Sequence, residues 1–109
     1  MLTEADAFRV GEIITVRLIG QLPTPCDEVK ELVNYPANGI GSARIFLREG
    51  RKPGMENTYC TQVLGRIWSI NSLIRDKYSK TVEIFINDHF VRKVRVIEIS
   101  PTGGWHNIH

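Results

Sequence analysis

Cys26 and Cys60 are the residues whose type and spacing most invite chemistry in this chain of 109 residues. Two cysteines can form a disulfide, contribute to a metal site or stay apart as thiols. A redox-active pair is disfavoured, because that pattern is Cys-x-x-Cys at the start of a helix. A structural zinc site is also disfavoured, because it needs four Cys or His ligands in paired spacing. Small extracytoplasmic domains often need a disulfide, but two buried thiols in a cytosolic protein fit the composition equally well.

The three histidines and one glycine-rich segment do not combine into an active site. His89 follows Asp88 in a predicted turn, and no nucleophilic side chain is placed near this pair by its spacing. His106 and His109 could bind zinc or copper, but a frayed C-terminal tail is the simpler interpretation. Residues 38–44 lack the third glycine of a dinucleotide-binding fingerprint, and a strand follows them in place of a helix. We therefore predict no catalytic residue, no metal and no cofactor, and a protein that is not an enzyme.

The segment from residue 49 to residue 58 is the strongest candidate for binding. It carries Arg51, Lys52, Met55 and Glu56 in a loop between two predicted strands. Binding residues accumulate on loops that a rigid sandwich holds in place. The alternative interpretation is a solvated connection without a function. We take these four side chains as the candidate partner-binding loop.

The composition is that of an ordinary soluble globular domain, with 42% hydrophobic residues, 24% charged residues and a formal charge of +2. These values exclude a disordered chain, a collagen and a coiled coil, and 109 residues fit one domain rather than a multidomain enzyme. The basic residues are scattered among acidic ones, and the sequence pI of about 8.7 is below the ~9 typical of nucleic-acid-binding domains. We predict no nucleic-acid partner.

The sequence contains no membrane-spanning signal. No apolar run approaches the ~20 residues that a transmembrane helix needs. Residues 1–9 include Glu4 and Asp6 and lack the basic start and apolar centre of a signal peptide. We expect no transmembrane segment, and secretion would require a signal peptide outside the given sequence.

Alternating hydrophobic and polar residues predict a mostly β domain. Strands bounded by turn residues are expected over residues 12–19, 42–48, 81–86 and 90–99. Asn87-Asp88 should form the tight turn of a hairpin between the last two, since both residue types tolerate positive φ. We place the core of a single domain, residues 1–109, at about residues 10–99.

Other segments are less regular. Residues 59–70 are rich in β-forming residues, and Val63, Ile67 and Trp68 are expected in the core. Residues 1–9 and 100–109 are predicted to be flexible termini; the second contains Trp105, which has no predicted role.

Two segments fit both a helix and a strand, residues 24–33 and 69–78. In the first, Thr24 can cap a helix and Pro25 suits the first helical position, yet the residues from Val29 to Val33 also alternate as in a strand. Short apolar runs of this kind cannot be assigned from periodicity alone.

Three elements of the sequence resemble a group of uncharacterised bacterial secreted or lipoprotein domains. These elements are Gly20-Gln21-Leu22-Pro23-Thr24-Pro25-Cys26-Asp27-Glu28-Val29, Cys60-Thr61-Gln62 and Ile86-Asn87-Asp88. The resemblance covers about residues 16–99 and implies an extracytoplasmic, immunoglobulin-like antiparallel β-sandwich in which Cys26 is joined to Cys60. It also implies that residues 27–33 form a strand, which leaves room for at most one short helix. It implies no catalytic activity.

Two functions are consistent with these observations. The first is a non-catalytic extracytoplasmic binding or structural module that engages a protein partner through its loops or an exposed strand edge. The second is a small peptidase inhibitor that presents a rigid loop, either residues 50–58 or residues 34–41, to a protease at little entropic cost.

Overall fold

Seven β-strands form the protein in the computed structural model, which describes residues 1–37 and 41–99. In chain order they are β1 (Leu2–Val10), β2 (Ile13–Gln21), β3 (Asp27–Tyr35), β4 (Ala43–Arg51), β5 (Ile67–Arg75), β6 (Thr81–Ile86) and β7 (His89–Ile99). The described residues contain no helix. The prediction of an all-β fold is confirmed, and the short helix for which it left room is not found in these ranges.

The strands form two layers that are joined by β7. Arg95 and the residues before it pair with β6, whereas residues 96–99 pair with β1. We call the group β3, β4, β6 and the first part of β7 the front layer, and the rest of β7 with β1, β2 and β5 the back layer. The inner faces of both layers contribute to one hydrophobic core, as in a β-sandwich.

Two of the strand pairs are parallel, β4 with β6 and β1 with β7. The sandwich is therefore mixed, where the sequence analysis predicted an antiparallel one. For β4 and β6 the cause is the path of the chain after β4, which crosses to the back layer as β5 and returns as β6. A chain that leaves a layer and returns through a long connection can place its next strand parallel to the earlier one. A short hairpin loop can join only antiparallel strands.

Side-chain alternation determines which residues form the core. In β2, β4 and β6 every second side chain points inward and is buried, namely Ile14, Val16, Leu18, Ala43, Ile45, Leu47, Val82, Ile84 and Ile86. Trp68 is also buried, as predicted, and its ring lies so close to Gly20 that a single Cβ atom there would overlap it. Val63 and Ile67 were predicted in the core but are exposed, because Val63 precedes β5 and Ile67 points to the opposite side from Trp68.

Most of each ambiguous segment is strand in the structure, and residues 24–26 and 76–78 lie outside the strands. Residues 27–33 belong to β3, which confirms the prediction made from the resemblance, and residues 69–75 belong to β5. The helix-capping signals at Thr24 serve a turn instead. Its hydroxyl donates to the Asp27 carboxylate at 2.6 Å, and its carbonyl accepts from the Asp27 N–H at 3.2 Å. Pairing with β4 and burial against the core outweigh the local propensity.

The hairpin between β6 and β7 forms at the predicted position. Asn87 and Asp88 both have positive φ, 50° and 67°, as a two-residue hairpin turn requires. His89 begins β7, and both it and Asp88 are exposed, as in a solvated turn.

The prediction that residues 1–9 are flexible is wrong. Residues 2–10 form β1, which lies between β2 and β7 in the middle of the back layer. Ala7 and Arg9 are buried. A charged residue at an inward position hid this strand from the hydrophobic pattern. The other predicted flexible terminus, residues 100–109, lies outside the described residues.

The two terminal strands of the sheet, β3 and β5, lie next to each other and do not form a ladder. The Asn34 side-chain amide on β3 bridges them, donating to the Ser72 hydroxyl at 2.7 Å and to the Leu73 carbonyl at 3.1 Å. A side chain thus occupies an edge that would otherwise be open to another strand.

A buried polar cluster fixes the end of the sandwich where β5 ends. The Arg9 guanidinium donates to the Asp76 carbonyl at 2.8 Å and to the Ser79 carbonyl at 2.6 Å, and it also contacts the Glu98 carboxylate. The Asp76 carboxylate lies 3.7 Å from the same guanidinium and is 2% exposed. It accepts hydrogen bonds from the Ser79 hydroxyl and from the N–H groups of Ala37, Tyr78 and Ser79. β1, β5, β7 and two loops therefore meet at one ion pair.

These hydrogen bonds determine the ionisation of Asp76. Burial by itself raises the pKa of the carboxyl, but the hydrogen bonds from Ser79, Ala37 and Tyr78 outweigh it, and the pKa is lowered from 3.8 to about 2. Because the folded-state pKa is below the unfolded one, the ionised carboxylate stabilises the fold above pH ~4, and this stabilisation is lost as the pH falls towards 2.

We expect Asp76→Asn to lower the free energy of unfolding by roughly 3 kcal/mol at pH 7, because Arg9 then remains buried without its anion. Between pH 4 and pH 2 the wild type should lose about 2 kcal/mol of stability as Asp76 is protonated. The variant should not show this loss. Urea unfolding followed by far-UV circular dichroism at several pH values measures both quantities.

Glu31→Gln is the matched control, because Glu31 is an exposed carboxylate whose ion pair with Arg48 lies on the surface. Its effect should stay below ~1 kcal/mol. An Asp76→Asn variant with the acid dependence of the wild type would contradict the assignment.

Candidate functional site

The connection between β4 and β5, residues 52–66, is held to the sandwich by a disulfide. Cys26 and Cys60 are bonded, with their Cα atoms 6.2 Å apart. This is the pairing that the resemblance implied. The two residues are 34 positions apart, and Cys60 is buried while the residues on both sides of it are exposed. The disulfide thus pins the middle of a long irregular segment to the chain just before β3.

Backbone hydrogen bonds hold both ends of the connection to the segment between β2 and β3. At its start, the Lys52 N–H donates to the Cys26 carbonyl at 2.8 Å. At its end, the Gly65 N–H donates to the Leu22 carbonyl at 2.9 Å, and the Leu22 N–H donates to the Arg66 carbonyl at 3.0 Å. Position 65 must be glycine for this approach, since a Cβ atom would overlap the Thr24 carbonyl. The connection is therefore tied at three places.

The first part of the connection has a defined shape of its own. The Met55 N–H donates to the Lys52 carbonyl at 3.0 Å across Pro53 and Gly54. Proline followed by glycine with φ of 82° is the pattern of a type II turn. A second turn follows, in which the Thr58 N–H donates to the Met55 carbonyl at 3.2 Å.

Arg51 closes this part of the loop from the side. Its guanidinium donates to the Thr58 carbonyl at 3.1 Å and lies 3.6 Å from the Asp27 carboxylate. The side chain at the end of β4 thus connects the far end of the second turn to the start of β3. Such a strut limits the number of conformations open to the loop between them.

The connection presents large apolar side chains to solvent. Tyr59 is 86% exposed and Met55 is 37% exposed, and Val63, Leu64 and Ile67, the first residue of β5, are exposed as well. Folding does not explain these side chains, because they contribute nothing to the core. Apolar and aromatic groups on a fixed loop are typical of surfaces that bind proteins.

The four residues predicted for this loop divide into two pairs. Met55 and Glu56 are exposed where a partner can reach them, whereas Arg51 and Lys52 are partly buried at the base. Sequence reasoning missed Tyr59 and Leu64. Their signal was the presence of two large side chains in a segment without regular alternation, with Tyr59 directly before the cysteine that the resemblance joined to Cys26.

A second exposed surface lies on the outer face of the front layer. Tyr35, Phe46, Phe85 and Phe90 contact one another across β3, β4, β6 and β7, with ring centroids 4.6 to 5.7 Å apart. A cleft of about 430 Å³ lies beside Tyr35 and Phe46 and is bordered by Arg48 and Asn87. The sequence carried a signal for this surface, since Phe46 and Phe85 are single aromatic residues at the polar positions of alternating strands.

Other candidates for chemistry are not assembled by the described residues. Within residues 1–37 and 41–99 there is no group of three or more His, Cys, Asp or Glu side chains that could hold a metal ion. The same part of the chain has no helix that could span a membrane. Gly41 has φ of 90° and leads directly into β4, as a turn before a strand does. His106 and His109 lie outside the described residues.

Comparisons with known proteins add no assignment. No family model, no curated protein and no solved structure matches the chain.

The disulfide should contribute substantially to stability. We expect reduction, or the double substitution Cys26→Ser and Cys60→Ser, to lower the free energy of unfolding by about 2 to 4 kcal/mol, since the unfolded chain regains the entropy of an open loop. Thermal melts with and without reductant measure the change, and intact mass after thiol alkylation reports the oxidation state. The double variant is its own control, because reductant should not alter its melting temperature. Free thiols in wild-type protein prepared without reductant would contradict the bond.

Proposed function

We propose that this protein is a non-catalytic extracytoplasmic binding module that contacts a protein partner through residues 52–66. The observation that carries the proposal is the combination of Tyr59 and other exposed apolar side chains with a backbone tied at three places. An apolar side chain in water on a flexible loop would gain little from binding, because ordering the loop would cost entropy. A loop that is already held avoids much of that cost.

Tyr59 is the expected centre of the contact. It follows the second turn, precedes the buried Cys60 and is almost fully exposed. Tyrosine supplies a large amphipathic surface with only two side-chain torsions to fix, which explains its frequency among the residues that dominate binding energy. Met55, Val63 and Leu64 would surround it with apolar contacts.

Loop contact is favoured over the addition of a partner strand. The Asn34 amide spans the gap between the two terminal strands, β3 and β5, and uses the Leu73 carbonyl that a new strand would need. The edges of β3 and β5 are also close to each other. An added strand would have to displace these contacts.

The extracytoplasmic location is supported by two lines of argument. A structural disulfide persists in oxidising compartments and is rare in the cytosol. The resemblance to bacterial secreted and lipoprotein domains points to the same location.

The binding site can be tested by site-specific photo-crosslinking in the native cell envelope. A benzophenone amino acid at position 59 should give one cross-linked protein species, because the side chain would lie in the interface. The matched control is the same probe at Tyr78, which is 67% exposed and lies beside the Asp76 cluster, at the other end of the sandwich from the disulfide. It should give no cross-linked species.

The partner identified in this way should bind the purified wild-type protein, and Tyr59→Ala should weaken that binding at least tenfold. Tyr78→Ala should leave the affinity unchanged. Equal cross-linking at both positions, or equal affinities of both variants, would reject the loop as the binding site.

A second candidate function is peptidase inhibition by residues 50–58. The strut from Arg51 to Thr58 favours it, because a loop closed in this way is held rigid before it meets a protease. A panel of extracytoplasmic peptidases distinguishes the two functions. Inhibition with the loop left intact, and loss of inhibition in Arg51→Ala, would support this alternative; rapid cleavage of the loop or no inhibition would leave the binding module as the better account.

A further inference from the structure

The outer face of the back layer carries an apolar surface that neither the core nor the proposed binding loop uses. Six large apolar side chains form it, namely Phe8, Val10, Ile13, Leu73, Ile97 and Ile99. We call them the back-layer patch. Leu73 and Ile97 are 64% and 63% exposed. Such a continuous apolar surface on a soluble domain is typical of an interaction site.

The strand register places the patch in two adjacent rows. Ile97, Phe8, Thr15 and Leu73 are direct neighbours across β7, β1, β2 and β5 and form the first row. In the second row Ile99, Val10 and Ile13 are neighbours in the same order, and Arg75 takes the place on β5. Each row extends across the full width of the back layer.

A charged row lies beside the first apolar row. Asp6 on β1 is the direct neighbour of Arg17 on β2, and their side chains form an ion pair at 2.8 Å. Glu4, two residues earlier on β1 and paired with Ile19, lies 3.9 Å from the same guanidinium. The acidic groups are thus on one strand and the basic group on the next, and Asp6 and Arg17 are at the same level of the sheet.

We infer that the back-layer patch is the interface of a symmetric dimer, in which a second copy of this chain packs face to face about a two-fold axis that runs parallel to the strands between β1 and β2. Such an axis exchanges β1 with β2 and β7 with β5. Ile97 then lies over Leu73 of the second copy, and Val10 over Ile13 of the second copy. In the same way Phe8 lies over Thr15 and Ile99 over Arg75 of the second copy, so two of the four pairings are apolar on both sides.

The same axis makes the charged row complementary to itself. It places Asp6 over Arg17 of the second copy and Arg17 over Asp6 of the second copy, so that four charges alternate in sign around the axis. A two-fold axis perpendicular to the strands and between the two apolar rows would instead bring both Asp6 and Arg17 towards the turn of the second copy that contains Glu12, where no such alternation of four charges forms. Charge complementarity therefore favours the parallel axis.

The size and shape of the face are suitable for association. Two sheets that pack face to face keep their strands within about 30° of each other, which the parallel axis allows. Four strands and the three rows described above measure roughly 19 Å by 20 Å, or about 400 Å² in projection. Two such faces bury on the order of 800 Å², a size typical of weak, transient interfaces. We therefore expect a dimer that dissociates on dilution.

Sedimentation velocity of the full chain, over protein concentrations from about 1 µM to about 0.5 mM, tests the association. The wild type should shift from monomer to dimer over this range. Leu73→Glu and Ile97→Glu should each weaken dimerisation at least tenfold, since each would bury a charge against an apolar side chain. Both positions are exposed in the monomer, and the melting temperature of each variant shows that it is folded.

Charge reversal tests the symmetry. Arg17→Glu alone and Asp6→Arg alone should each weaken the dimer about tenfold, because like charges then face each other across the interface. An equimolar mixture of the two variants should regain dimerisation, because each charged position then meets its opposite in the other chain. Arg48→Glu on the front layer, whose ion pair with Glu31 has similar exposure, is the control and should leave dimerisation unchanged.

Three outcomes would overturn the inference. The first is a monomer at every concentration. The second is a dimer that Leu73→Glu and Ile97→Glu do not affect, which would place the interface elsewhere. The third is a mixture of Arg17→Glu and Asp6→Arg that does not regain dimerisation while each variant alone is impaired, which would exclude the proposed axis.

Discussion

A buried ion pair at one end of the sandwich is the constraint on which most of the structure depends. Arg9 comes from β1, and the groups it contacts come from the turn after β5 and from the last part of β7. An unpaired guanidinium in this position would cost several kcal/mol. The cost is avoided only when β1, β5 and β7 reach their native positions together. The ion pair therefore makes the arrangement of both layers conditional on one contact.

The network around Asp76 extends this constraint to the loops. The carboxylate accepts the Ala37 N–H after β3 and the Ser79 N–H before β6, so one side chain orders two connections. No buried side-chain nitrogen or oxygen in residues 1–37 and 41–99 lacks a hydrogen-bond partner. A fully satisfied polar cluster is consistent with a single well-defined arrangement, because most alternatives would leave a buried group unpaired.

The other end of the sandwich is held by a covalent bond. Cys26 precedes β3 and Cys60 precedes β5, whereas the Asp76 cluster lies where β3 and β5 end. The two terminal strands are therefore fixed at both ends, although no ladder joins them. This explains why a long connection such as residues 52–66 can keep a defined shape while it contributes no strand of its own. The binding loop proposed here depends on that anchorage.

The parts of the fold that the sequence predicted are those in which hydrophobic alternation is regular. β2, β4 and β6 bury every second side chain, so their strands follow from the pattern. β1 was missed because its inward residue Arg9 is charged, and its burial depends on partners that are distant in sequence. The parallel pairing of β4 with β6 was missed because it follows from the chain path. The signals at Thr24 predicted a helix cap, but in the structure they serve a turn, and a strand follows it. In the candidate site, Met55 and Glu56 were placed on the exposed part of the loop, whereas the role of Arg51 as a strut depends on a contact that spacing does not reveal.

Large apolar residues at polar positions, such as Leu73 and Phe46, are therefore the most informative departures from the pattern. The core gains little from them, so substitutions there should separate effects on binding from effects on folding.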